Sequence, residues 1–199
     1  VGSAMFVASK CLAALRLNRY FRKIEISLTT RSNLRLYLLG MFYGLFLPGG
    51  IGGDAYKGYL LHSRYGAPPK RVGGVLLVDH MSGFFALFTF SMLLLYALNP
   101  EELAPYRWVS IVLILAAFLA YYFFQKKLSP HLLEEILPSL GYSSLVQLSQ
   151  LGTAGFILLA LGVEGSYFPY LLLFLLSTMA AGLPLTIGGM GSRELVFLY

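Results

Sequence analysis

Lys57 and Arg193 each stand nine positions past a proline in a short motif that occurs twice, Leu47-Pro48-Gly49-Gly50-Ile51-Gly52-Gly53 and Leu183-Pro184-Leu185-Thr186-Ile187-Gly188-Gly189. With the prolines aligned, Leu, Pro, Ile and the two glycines after Ile coincide. Proline and clustered glycine break helices, so each motif should end one helix and start another. The new helix begins with unpaired N–H groups and the positive end of its dipole, which together make an anion site. Asp54 is placed to cap the first restarted helix, with Lys57 a turn later; Ser192 is placed to cap the second, followed by Arg193 and Glu194. Two such termini facing each other would form a polar site suited to a phosphate. The plainer account is that Gly49, Gly50, Gly52, Gly53, Gly188 and Gly189 only let helices pack closely while the two cations reach out to water.

Asp79 is the other singular residue. It lies seven positions into an apolar run that begins at Val72, about 10 Å along a helix axis. If that run crosses a bilayer, a carboxylate there costs several kcal/mol unless paired, protonated or hydrated, and such residues are functional candidates by default. Asp79 could equally be a structural clamp on Lys57 or Arg193. Together Lys57, Asp79 and Arg193 would leave one net positive charge, which suits an anionic headgroup. His80 is a weaker candidate, because neighbours on a helix point about 100° apart.

Several catalytic chemistries are excluded. Asp79, His80 and Ser82 sit too close on one helix for a serine triad, whose members must converge. The Gly49–Asp54 stretch lacks the Lys-Ser/Thr of a phosphate-binding loop. His62, His80 and His131 show no metal-ligand spacing, and no cofactor is expected.

The elements that must hold these residues are those of a membrane protein. Of 199 residues 57% are hydrophobic and only 12% charged, and mean hydropathy is +0.71, too apolar for an ordinary soluble domain. The net charge of +6 lies in short clusters beside apolar spans, as in cytoplasmic loops near anionic lipid, and does not point to nucleic acid. The lone Cys11 excludes an internal disulfide. No cleavable signal is legible. Val1 and Tyr199 both fall inside apolar stretches, the pattern of a piece of a longer protein.

Along the chain, Val1 to Leu15 reads as the end of a membrane helix leading into a cytoplasmic basic run of Arg16, Arg19, Arg22 and Lys23. Segment 36–62 is broken at Pro48 and flanked by basic stretches on both sides, so it reads as a re-entrant hairpin from the cytoplasmic side. Val72 to Leu98 crosses to an acidic turn at Asn99-Pro100-Glu101-Glu102, and Trp108 to Phe124 returns to Lys126 and Lys127. Residues 131–140, interrupted by Pro138, read either as an amphipathic surface helix or as a connecting one. Leu145 to Val163 crosses again, and from Tyr167 the chain re-enters from the outside, breaking at Pro184. The two motifs therefore enter from opposite sides, which is what an inverted repeat requires. Chance recurrence in so apolar a chain is the competing account.

At this point L-P-G-G-I-G-G-D-A-Y-K (47–57), V-D-H-M-S-G-F (78–84) and P-L-T-I-G-G-M-G-S-R-E (184–194) resemble the signature stretches of the lysylphosphatidylglycerol synthase transmembrane family, which includes the flippase part of the multiple-peptide-resistance proteins. The resemblance runs from about residue 10 to 199. Members often carry Arg after the Asp, where this chain has His80, so a fixed positive charge is not implied there. The resemblance implies a bacterial inner-membrane protein that moves or presents lipids. It does not imply the aminoacyl transferase activity of fused members, whose cytosolic domain is not in these residues.

The expectation is therefore one all-α polytopic membrane domain over 1–199, with re-entrant hairpins around 36–62 and 167–199 in an inverted repeat. Its function would be that of a lipid flippase handling a phosphate-bearing lipid in the bilayer, rather than an enzyme. A homo-oligomer stays open. The rivals are an anchor for a lipid-modifying synthase and an intramembrane lipid-phosphate enzyme with Asp79 as base.

Overall fold

The computed structural model describes residues 1–47, 52–98, 105, 107–182 and 196. Among them every regular element is helical. Helix α1 (Gly2–Lys23) leads into an extended stretch, and α2 (Thr30–Phe46) and α3 (Gly52–Tyr65) follow as the arms of a hairpin. Next come α4 (Pro69–Leu98) and α5 (Arg107–Leu128), then a 3-10 turn (Pro130–Glu135) that runs straight into α6 (Ile136–Ala160), and lastly α7 (Phe168–Gly182).

Length and polarity separate these helices into two kinds. Pro69–Leu98, Arg107–Leu128 and Pro130–Ala160 are long and apolar enough to cross a membrane, with hydropathies of 1.9, 1.9 and 1.3. Only 22%, 17% and 17% of their most apolar windows are buried in the protein, so their apolar surface faces outward, which in water would be a liability. By contrast α2 and α3 have 17 and 14 residues, reaching about 26 and 21 Å at the helical rise, short of the ~30 Å hydrocarbon core. They pack on each other instead.

The densest apolar core lies where the α1 C-terminus, the start of α2, the end of α3 and the start of α4 converge. Leu17, Tyr20, Phe21, Leu36, Leu61, Val72, Val75 and Leu132 are buried there. After α1, Ile24, Ile26 and Leu28 are buried while Glu25 and Ser27 are exposed, so an extended strip with a period of two seals this core. Glu25 turns the chain at φ 64°. Thr29 then caps α2, its Oγ1 accepting the Ser32 N–H at 3.2 Å.

Three local expectations are corrected. The basic run at 16–23 is not a loop but the last two turns of α1. Arg16, Arg19 and Lys23 share one face at i, i+3 and i+7. Arg19 pairs with Glu135 at 2.8 Å and Lys23 with Glu134 at 2.9 Å. Residues 131–140 are not a separate surface helix. Pro138 falls in the first turn of α6, where its missing N–H is no loss. Finally, Asp54 does not cap α3; it is the third residue of that helix, and its carboxylate is held by side chains described below.

The first arm of the expected second hairpin appears as α7, 15 residues of apolar helix. Its continuation, with Gly188, Gly189, Ser192, Arg193 and Glu194, lies outside the described residues, as do Gly49 and Gly50.

Candidate functional site

The two arms of the α2–α3 hairpin meet through glycines. A Cβ built on Gly53 would overlap the carbonyl of Gly40 and lie 3.4 Å from the Gly44 Cα. Only glycine lets the backbones come this close, as in small-residue contacts between membrane helices. Gly40 in turn makes room for the stem of Lys57, against which an added Cβ would press. The glycines of α2 and Gly53 in the first turn of α3 thus have one structural effect: they lay Lys57 flat across α2.

Lys57 is buried, 6% exposed. Its ammonium donates to the Asp54 carboxylate at 2.7 Å and lies 4.9 Å from the centre of the Tyr37 ring. On the opposite wall, α4 presents Asp79, 7% exposed, against the Arg16 guanidinium of α1, 6% exposed. Arg16 Nε donates to Asp79 at 2.8 Å and Nη1 to the Ser143 hydroxyl of α6 at 2.7 Å, so this one side chain ties three helices together. Gly83, one turn past Asp79, leaves space for the guanidinium; a Cβ there would lie 3.4 Å from Nη1. His80 points from α4 toward α3, with Nδ1 3.6 Å from Asp54. A buried charge needs such partners.

Between these pairs lies a cavity of about 340 Å³. Arg16, Lys57, Asp54, Asp79 and His80 line it, with Gln147 and Gln150 from α6 and Thr178 from α7. Gln147 is 3% exposed, and its Oε1 is buried with no hydrogen-bond partner among the described residues.

A second space of about 590 Å³ runs between α3 and α4 and is walled mainly by Ala55, Gly58, Tyr59, Gly73, Leu76 and Leu77. It reaches Asp54 and His80, which also line the polar cavity. Asp54 and His80 thus stand between a polar chamber and an apolar groove.

Of the sequence candidates, the structure brings Gly53, Asp54, Lys57 and Asp79 to one cavity; Gly52 sits at the start of α3 against Leu47. His80, ranked low on helical geometry, lines it as well, because a wide face of α4 is turned inward. The clamp partner of Asp79 is Arg16, not Lys57, and the described charges balance at two cations and two carboxylates, with no net positive charge before His80 is counted. Sequence reasoning missed Arg16, Gln147 and Tyr37. Arg16 carried no signal of its own: its spacing to Arg19 and Lys23 marks a shared helix face, but its partner Asp79 lies 63 residues further along the chain.

This is a multi-pass membrane protein, helical throughout its described elements, with a charged cavity lined by several of its helices. The family model for the lysylphosphatidylglycerol synthase TM region matches residues 1–140, and the chain belongs to that family. It is accordingly a membrane protein related to lipid handling. No curated protein and no solved structure matches it.

Proposed function

We propose that this protein is a flippase-like transporter whose polar cavity receives the headgroup of a phosphate-bearing lipid. The observation that carries this reading is the junction at Asp54 and His80, where a charged chamber meets an apolar groove. That pairing has the shape of an amphiphile: polar atoms on one side, one acyl chain on the other. Lys57 is the cation best placed to change partners. Its partner carboxylate, Asp54, also lies near His80, so a protonated His80 can hold Asp54 while Lys57 turns to phosphate, and Arg16 remains committed to Asp79.

The groove offers a clean test, because a Cβ at Gly73 meets nothing within 4 Å. Gly73→Trp should fill the groove without disturbing the helices. Phosphatidylglycerol carrying a photoreactive acyl chain is expected to label peptides around 55–59 and 73–77 in the wild type, and roughly tenfold less in the variant at unchanged Tm. Equal labelling would remove the groove from the lipid path.

The chain is further read as one transmembrane domain of a bacterial cytoplasmic membrane, with inverted repeats around 36–62 and 167–199 and the α2–α3 hairpin re-entrant from the cytoplasm. Support comes from the short arms of that hairpin and from the basic residues at both its ends. Single cysteines placed at 164 should react with an impermeant thiol reagent from outside, and those at 23, 64 and 127 should not. Outside labelling at 64 would turn the hairpin into a full span and end the inverted repeat.

A further inference from the structure

The open end of the α2–α3 hairpin, opposite Gly53, holds a small pocket of about 200 Å³. Its floor is Leu36 and Leu61, both in the core. Its rim carries Arg35 from α2 and Arg64 from α3, with Leu39 and Tyr65 beside them. Both arginines are exposed, and neither forms an ion pair with any described residue. This sets them apart from Arg16, Arg19, Lys23 and Lys57, each of which holds a carboxylate. Two guanidiniums on one small pocket repel each other unless an anion joins them, and their fork geometry matches phosphate oxygens.

We infer that this pocket is a second lipid site, in which Arg35 and Arg64 hold the phosphate of an anionic phospholipid from the leaflet beside the basic loops. The apolar surroundings favour a lipid over a free anion. Leu38, Leu39, Phe42, Leu45 and Phe46 line the exposed side of α2, so an acyl chain below the phosphate has an apolar surface to follow. The basic ends of the hairpin are also where cytoplasmic anionic lipid concentrates. Such a lipid would staple the arms at the end the glycines do not reach. The site shares no residue with the polar cavity, so it stands or falls apart from the transport reading.

The test compares nanodiscs of phosphatidylcholine with nanodiscs that also contain phosphatidylglycerol. The wild type should gain about 2–4 °C in Tm from phosphatidylglycerol, the shift of roughly 1 kcal/mol in a chain this size. Arg35→Gln/Arg64→Gln should match the wild type in phosphatidylcholine and lose that gain, with one fewer phosphatidylglycerol retained in native mass spectrometry. Lys126→Gln/Lys127→Gln removes the same charge from an exposed helix end and should keep both. No gain in the wild type, a gain surviving in the arginine variant, or an equal loss in the lysine variant overturns the proposal. So does a full gain from inorganic phosphate in phosphatidylcholine discs, which would make the ligand a soluble anion.

Discussion

Gly53→Leu is expected to abolish lipid translocation and to lower Tm by several degrees. The contact it disturbs is backbone against backbone: an added Cβ meets the Gly40 carbonyl and the Gly44 Cα, neither of which can swing away as a side chain does. The arms must separate, at about 1–3 kcal/mol for an overfilled contact, and Lys57 leaves Asp54 as they do. Gly40→Ala makes a useful comparison. Its added Cβ meets the Lys57 stem rather than backbone, so it should cost less than Gly53→Leu yet still displace the ammonium. Thermal melts and lipid translocation in the same proteoliposomes read both effects. Full translocation by well-expressed Gly53→Leu would reduce the glycines to loose packing and detach them from the site.

Asp79→Asn carries the second large effect. Asp79 and Arg16 are both nearly sealed from solvent, with their side chains 9% and 7% exposed. A guanidinium cannot give up its proton, so the variant leaves a buried cation with no counter-charge, facing only the neutral Ser143 hydroxyl and the amide oxygen of the new side chain. Breaking one side of a buried pair costs about 3–5 kcal/mol. Arg16→Met alone should cost less, because a lone carboxyl can escape its charge by taking a proton. The double variant Arg16→Met/Asp79→Asn should recover most of the lost stability, since apolar replacement of a buried pair is often close to neutral. Additive losses in the double variant would mean that the two residues act through different partners.

Much of this fold was legible because the bilayer imposes coarse rules. Helix α4 and helix α5 could be read from apolar length and basic or acidic ends, and the arms of the hairpin from Pro48 and the glycines. The site was half legible for a related reason. Asp79 stands out because a carboxylate in an apolar run is costly, and Lys57 because it recurs at a fixed distance from a proline. Arg16 was hidden by its neighbours: in a run with Arg19, Arg22 and Lys23 it looked like a loop charge. Only the crossing of α1 with α4 and α6 turns it inward. Likewise Gln147 carries no sequence signal, since an amide in a polar-flecked helix becomes informative only once its Oε1 is seen sealed and unmatched. The helical period could not foretell that His80 would share the cavity with Asp79. The residues a helix turns inward depend on how many neighbours surround it, and α4 packs against α3, α5, α6 and α7 as well as α1.

The most direct test of the transport reading is lipid translocation by the purified wild type. Proteoliposomes containing phosphatidylglycerol with a fluorescent acyl label are treated with dithionite, which bleaches only the outer leaflet. The account predicts that the protected inner pool becomes bleached in proteoliposomes while it persists in protein-free vesicles, and that Gly73→Trp restores most of the protection. A protected pool in wild-type proteoliposomes equal to that of empty vesicles, with the protein folded and inserted, would contradict it.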